Sequence, residues 1–172
     1  MKEVSKKNHT SPIQKIGEYK MDILNRIVQS PELAKLLRYD TPDALFRDDV
    51  ENPETLIHER VFPYRFMPDT VENQGTFITI GIGGFRPHEN GYDIYDDYST
   101  GSVYFYVFTH VDLMQTHNGT RQDLIIAELD KIFHKSKGIG MGELKSSYMN
   151  ELWIHNNKFG GYTLGYAITD IG

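Results

Sequence analysis

The sequence predicts an α+β fold: a mostly antiparallel sheet of about four strands with helices packed on one face. Two observations support this class. Apolar residues recur at helical spacing near the start of the chain and again around 120–136, and β-branched and aromatic residues alternate elsewhere. Neighbouring strands follow one another through polar turns, which favours hairpins. The predicted order is α-α-β-β-α-β-β, within the single domain that 172 residues allow.

The first helix is predicted over 12–29. Its apolar stripe consists of Ile16, Tyr19, Ile23, Leu24, Ile27 and Val28. The run Ser30-Pro31-Glu32 then predicts the start of a second, short helix. Serine caps a helix, proline suits its first position and glutamate suits its positive end. The buried side of this helix is expected to hold Leu33, Leu36 and Leu37.

Two polar segments flank these helices. Residues 1–11 contain lysines and almost no apolar side chains, which predicts a flexible arm. The segment 40–62 begins with a run of carboxylates and contains prolines, which indicates a solvated acidic connector outside the core. The segment 62–68 contains two prolines, which forbid a helix and allow an extended edge segment.

Two strands are predicted next, over 76–85 and 103–113. The first places Ile78, Ile80 and Ile82 on one face. The second places Val103, Phe105, Val107 and Val111 on one face and Tyr104, Tyr106, Phe108 and His110 on the other. Because both faces are apolar, both are expected to be covered, one by helices and one by something else. The loop 86–101 between the strands is expected to project from the sheet.

The last part of the chain predicts a helix over about 120–136 and strands over 143–155 and 162–171. Thr120 and Asp123 resemble a capping box, and Lys135, Lys137 and Gly138 are expected to close the helix. On the last strand, Tyr162, Leu164, Tyr166 and Ile168 share a face. The opposite face has small residues, where a helix could approach closely.

Composition excludes several classes of function. The chain has no cysteine, so disulfides and thiolate zinc sites are impossible, and its formal charge of −6 argues against general nucleic-acid binding. Neither a signal peptide nor a membrane span is expected, which favours a soluble intracellular protein. Eleven tyrosines suit protein–protein surfaces, although they are also ordinary strand residues.

Catalytic chemistry is not indicated by any motif. His110 and Asp112, followed by His117, form the nearest approach to a metal-ligand cluster, and the favoured interpretation is a partly buried strand histidine and a loop histidine. The glycine runs 81–84 and 138–142 lack the strand–loop–helix context of a phosphate loop, so bulges and turns explain them better. We therefore expect no catalytic residue, no cofactor and no metal.

The order of elements resembles the tail-terminator, tail-completion and tail-to-head joining proteins of tailed bacteriophages. The resemblance covers about residues 12–171: an N-terminal helix, Pro63-Tyr64 entering the sheet, the strand VYFYVFTHVDL, the helix TRQDLIIAELDKIF, a strand containing Trp153 and the closing strand GYTLGYAITDI. The resemblance implies a non-enzymatic virion protein that assembles in the host bacterial cytoplasm into a ring, commonly a hexamer. Its implied partners are the tail tube and the head-completion or connector proteins, with DNA passing through the ring without sequence-specific binding and no membrane involved.

Two groups of residues are hypothesised to serve such a ring. Subunit or partner contacts are expected at Tyr92, Tyr95, Tyr98, Tyr104, Tyr106, Tyr162 and Tyr166. The residues expected to face the channel of the ring are Glu89, Asp93, Asp96 and Asp97. The alternatives are a protein-binding adaptor outside a virion and an unrecognised metal-dependent enzyme.

Overall fold

A five-stranded sheet with helices on one of its faces confirms the predicted α+β class. The computed structural model describes residues 11–68, 74–87, 98–155 and 157–171. The predicted arm, apart from Ser11, and the middle of the 86–101 loop lie outside the described residues. Within the described ranges, no helix is long and apolar enough to cross a membrane.

The N-terminal helices form as predicted. Helix α1 spans Pro12–Val28 and helix α2 spans Pro31–Arg38. The Ser30 hydroxyl caps α2 by accepting a hydrogen bond from the Leu33 backbone N–H at 3.3 Å. The apolar stripes of both helices are buried against the sheet and against each other: Tyr19, Ile23, Leu24, Ile27, Val28, Leu33, Ala34, Leu36 and Leu37.

The sheet has the strand order β1-β2-β3-β7-β6. Its strands are β1 (Val61–Phe62), β2 (Thr76–Pro87), β3 (Tyr98–His110), β6 (Lys145–Ile154) and β7 (Phe159–Ile171), and a separate small hairpin joins β4 (Gln115–Thr116) to β5 (Gly119–Thr120). Strand β1 pairs in parallel with β2 at only two positions, and all other pairs are antiparallel. The sheet therefore has one strand more than predicted, supplied by the proline-containing segment.

Helix α3 spans Arg121–Phe133, but both of its ends differ from the prediction. Thr120 makes no side-chain cap bond, and the Asp123 carboxylate accepts a hydrogen bond from the Tyr162 hydroxyl at 2.8 Å. The chain leaves the helix at Lys135, which has a positive φ of 58°, before Gly138 is reached. The Lys135 N–H is already bonded to the Leu144 carbonyl at 2.8 Å, which fixes this early turn.

The main core lies between the helices and one face of the sheet. Register places Ile80 beside Phe105 and Phe105 beside Leu164, so the predicted apolar faces of these strands coincide. Val111 does not share that face, because β3 ends at His110 and Val111 begins a short 3-10 turn with its side chain 38% exposed. The helices cover the large-residue face of β7, so the prediction that they approach its small face is wrong.

The acidic connector contributes to the core, which a purely solvated segment would not do. It contains two 3-10 turns, Ala44–Phe46 and Pro53–Leu56, whose Ala44 and Leu56 side chains are fully buried. Its carboxylates remain largely at the surface, and Asp40 pairs with Arg60 at 2.9 Å.

A buried arginine fixes the beginning of this connector to α3. The Arg121 guanidinium is fully buried and donates hydrogen bonds of 2.8–2.9 Å to four backbone carbonyls, those of Leu36, Tyr39, Thr41 and Leu113. Two of these acceptors lie at or next to the negative end of α2, which favours a cation there. Burial lowers the pKa of Arg121, since desolvation disfavours its charge.

Candidate interaction surfaces

The face of the sheet opposite the helices is aromatic and only partly covered. Alternation along β3 places Tyr104, Tyr106 and Phe108 there, as predicted. The rings of Tyr104 and Tyr106 meet edge-on with centroids 5.8 Å apart, and those of Tyr106 and Phe108 are parallel at 6.4 Å. This row continues across the sheet to Tyr148, Leu152 and Ile154 on β6. We call these six residues the aromatic face.

Glycines on neighbouring strands make room for the tyrosine rings. A Cβ built at Gly81 would overlap Tyr104 Cε2, and one built at Gly165 would overlap Tyr148 Cε1. The small residues of β7 therefore accommodate an aromatic ring from β6 and not the helix that was predicted. Burial raises the pKa of Tyr148, and the nearby Tyr106 and Tyr104 add to that shift.

One end of the aromatic face is closed by phenylalanines from β1 and from the segment that follows it. Phe62 and Phe66 stack with centroids 4.0 Å apart, and both rings contact Phe77. Together with Phe108 and Phe159 they form a second, smaller core. The prediction that something other than helices covers this face is thus confirmed for this end.

A groove of about 520 Å³ adjoins that cover and extends from the outer edge of β2 across the aromatic face to Leu152 and Ile154 of β6. We call it the β2-edge groove. Its lining combines the 64–67 segment with part of the aromatic face and with Lys20 of α1: Lys20, Tyr64, Arg65, Phe66, Met67, Thr79, Ile80, Gly81, Ile82, Tyr104, Tyr106, Phe108, Leu152 and Ile154. The groove has apolar walls and two cationic side chains.

The opposite edge of the sheet, β6, is exposed along nearly its whole length. Its large side chains remain in contact with solvent: Tyr148 is 40% exposed, Met149 55% and Trp153 48%. Within the described ranges, only β7 pairs with β6. A long apolar edge strand of this kind is a template for pairing with another chain.

The hypothesised contact tyrosines separate into three groups. Tyr104 and Tyr106 lie half-buried on the aromatic face, and Tyr98 begins β3. Tyr162 and Tyr166 lie on the helical side, where their hydroxyls donate to Asp123 and Asp130, both at 2.8 Å. Tyr166 is only 1% exposed and is a core residue, so its assignment as a contact is wrong.

The remaining hypothesised residues lie outside the described part of the chain. These are the contact residues Tyr92 and Tyr95 and the channel-facing residues Glu89, Asp93, Asp96 and Asp97. Their proposed roles stay predictions.

The two histidines of the predicted cluster have different surroundings. His110 is 4% exposed, packs edge-on against Phe159 and accepts a 3.3 Å hydrogen bond from the Asp112 backbone N–H at its Nδ1. Asp112 lies beyond the end of the strand, so the two residues do not share a strand face as predicted, although the exposed Asp112 carboxylate lies 3.5 Å from His110 Nδ1. His117 instead lies 6.3 Å from the Phe46 ring. The described ranges contain no group of three side chains suited to a metal.

Sequence reasoning missed the exposed side of β6 and the groove wall at Tyr64 and Met67. The alternation of Tyr148, Asn150 and Leu152 with Met149, Glu151 and Trp153 was a usable signal for a strand. It could not show that this strand would be the last in the sheet.

A family model described as YomW matches residues 30–168, which covers α2 through most of β7. The matched range includes β6 and all of the groove lining except Lys20. No curated protein matches the chain.

Proposed function

Because the chain belongs to the YomW family, a phage-derived family, we propose that it is a structural protein of the virion. In this proposal, copies of the chain form a ring, of about six subunits, at the tail end or neck of a tailed phage. The ring terminates the tail tube and joins tail to head.

The observation that supports a ring is the presence of two different apolar surfaces at opposite edges of one sheet. The β2-edge groove exposes Tyr64 and Met67, and the β6 edge exposes Met149 and Trp153. A contact between two unlike patches is heterologous, and repetition of it closes into a ring when the rotation between copies divides a full turn. Two copies meeting through the same patch would leave the other patch uncovered.

The remaining parts of the proposal concern partners. The tail tube below and the head-completion or connector proteins above would contact the two ends of the ring. DNA passes through the centre, and the net charge of −6 suits passage, since a strongly basic lumen would bind phosphates and retain the duplex. Assembly takes place in the cytoplasm of the host bacterium.

Native mass spectrometry and negative-stain imaging of the purified full chain test the proposal. We expect a closed oligomer, and we expect Met149→Glu with Trp153→Glu to shift it to monomers because both changes place charge on the β6 edge. Phe46→Glu is the matched control: Phe46 is 71% exposed but lies on the Ala44–Phe46 turn, outside both surfaces. A wild-type chain that stays monomeric and binds an unrelated protein would instead support the adaptor function.

A further inference from the structure

The two free edges of the sheet run in opposite directions. Strand β3 is antiparallel to β2, β7 is antiparallel to β3, and β6 is antiparallel to β7. Strand β6 is therefore antiparallel to β2. A rotation about an axis along the strands carries one copy onto the next without reversing any strand, so β6 of one copy would meet β2 of the next in antiparallel orientation.

The outer edge of β2 has backbone groups that β1 does not pair. Strand β1 pairs only with Ile78 and Thr79, and the Ile78 N–H donates outward to the Arg60 carbonyl at 2.9 Å. Backbone polar groups alternate in direction along a strand, so those of Ile80 and Ile82 point outward as well. The parallel pairing of Phe62 with Thr79 joins the Phe62 carbonyl to the Ile80 N–H, so the outward groups that β1 leaves unpaired begin at the Ile80 carbonyl and continue at Ile82. The pairing of β2 with β3 becomes irregular between Gly83 and Arg86.

From these edges we infer that β6 of one copy pairs with the free edge of β2, from the Ile80 carbonyl onward, in the next copy. The sheet then continues from subunit to subunit, with every helical layer on the same side. This inference rests on the proposed ring and specifies its interface. Main-chain hydrogen bonds would provide affinity, as in other cases of strand addition to a sheet edge.

Charge complementarity favours a second copy as the occupant of the groove. Glu151 lies opposite Tyr162 in register and therefore on the helical side of β6. Lys20 lies on α1, on the helical side of the groove. Neither side chain forms an ion pair within the described residues. Continuation of the sheet with the helices on one side brings Glu151 of one copy towards Lys20 of the next.

The other side of the same pairing is apolar in both partners. Tyr148 projects from β6 on the aromatic face and is 40% exposed. Leu152 and Ile154 share that face but line the groove of their own copy. Across the junction Tyr148 would meet the groove wall of the next copy, formed by Tyr64, Phe66 and Met67. In this orientation the charged residues meet on the helical side and the apolar residues meet on the aromatic side. A subunit docked with its two faces exchanged would bring neither set together.

Disulfide trapping tests the pairing directly, because the chain has no cysteine of its own. Gly83 is a suitable position on β2: a Cβ there would meet only the Tyr104 hydroxyl, at 3.8 Å. Gly83→Cys is combined in turn with Tyr148→Cys, Asn150→Cys or Leu152→Cys, which sample the register on the same face. Within one copy the two edges are three strand spacings apart, roughly 14 Å, and a disulfide spans at most about 7 Å between Cα atoms. Any cross-link therefore joins two copies.

We expect at least one double-cysteine chain to give a ladder of covalent oligomers under mild oxidation. Each single-cysteine chain alone should stay uncross-linked, whereas an equimolar mixture of the two should stop at the dimer. Suppose that native mass spectrometry shows a ring for wild type but none of the three double variants gives a ladder. That result would overturn this interface and leave the proposed ring intact. Cross-linking of Asn150→Cys alone would show β6 pairing with β6 and overturn it as well. A monomeric wild type would overturn both.

A charge exchange provides the second test. Lys20→Glu and Glu151→Lys should each weaken assembly by about 2- to 5-fold per interface, which is the range for exposed ion pairs. The chain that carries both changes should recover. Weakening without recovery in the double variant would contradict the placement of these two residues against each other.

Discussion

The two faces of the central sheet are built from alternate residues of the same strands, yet they are closed in different ways. On the helical face, Val103, Phe105 and Val107 are fully buried beneath α1, α2 and α3. On the aromatic face, Tyr104 and Tyr106 lie over glycine and threonine positions and remain half-exposed beside the groove. The first face stabilises the isolated subunit. The second leaves apolar surface exposed among the described residues, which suits contact with another molecule.

Neighbouring residues on β3 allow the sharpest test of this difference. Phe105→Ala should lower the free energy of unfolding by about 3–5 kcal/mol, because it opens a cavity against Phe133 and Tyr166. Tyr104→Ala should cost only about 1 kcal/mol, since its ring is already partly in water. Urea unfolding of the two variants, measured under conditions where the subunit is monomeric, compares them directly. Equal losses would show that the aromatic face is as important to the subunit as the core.

The sequence was sufficient to predict which residues share a face over 76–83 and 103–110, because the alternation there is kept in the folded strands. It was not sufficient to show which face of β7 the helices cover. Both of its faces can accept a helix, one by burying Leu164 and Tyr166 and the other by close approach to Gly165. The choice depends on Tyr148, which occupies the space above Gly165 from a strand paired only in the folded state.

Two glycines of β2 show how closely the aromatic face is fitted. Gly81→Ala should destabilise the subunit by about 1–3 kcal/mol, because the added methyl displaces the Tyr104 ring. Gly83→Ala, two residues further along the same face, places its methyl at an ordinary van der Waals distance of 3.8 Å from the Tyr104 hydroxyl and should be neutral or stabilise by about 0.4–1 kcal/mol through reduced freedom of the unfolded chain. Thermal or urea unfolding measures whether each substitution raises or lowers the free energy of unfolding. A stabilising Gly81→Ala would mean that the Tyr104 ring does not rest on the strand.

The interaction surfaces were less predictable than the fold for a physical reason. Exposure of Met149 and Trp153 depends on β6 being the last strand, and strand order is set by long-range pairing that no local pattern encodes. The Arg121 site is similar: its four carbonyl acceptors come from two distant segments that meet only in the folded chain. Tyrosine enrichment could not separate Tyr104, half-buried on the aromatic face, from the buried Tyr166, and the protein contacts that it indicates stay a prediction.

The smallest expected change in the free energy of unfolding concerns Tyr166, whose phenol is buried on the helical face, and it depends on pH. Burial raises the pKa of Tyr166 well above its ordinary value of 10, and the hydrogen bond to the Asp130 carboxylate raises it further. The folded state therefore keeps this proton at pH values where the unfolded chain has released it. The resulting contribution to stability is fully present below pH 10 and decreases as the pH rises above 10, by up to about 1.4 kcal/mol per pH unit.

Tyr166→Phe should accordingly be less stable than wild type by about 0.5–1.5 kcal/mol at pH 7, where only the hydrogen bond is lost. Above pH 10 the difference in the free energy of unfolding between wild type and variant should narrow, because wild type then loses the stability contributed by its protonated Tyr166, which the variant lacks. Urea unfolding at pH 7, 10 and 11 measures this gap. Asp130→Asn separates the two causes: burial of the phenol is the larger one and remains, so most of the alkaline loss should persist in that variant. A gap that stays constant across these pH values would show that the Tyr166 hydroxyl is accessible to water, and the helical face would then be as open as the aromatic one.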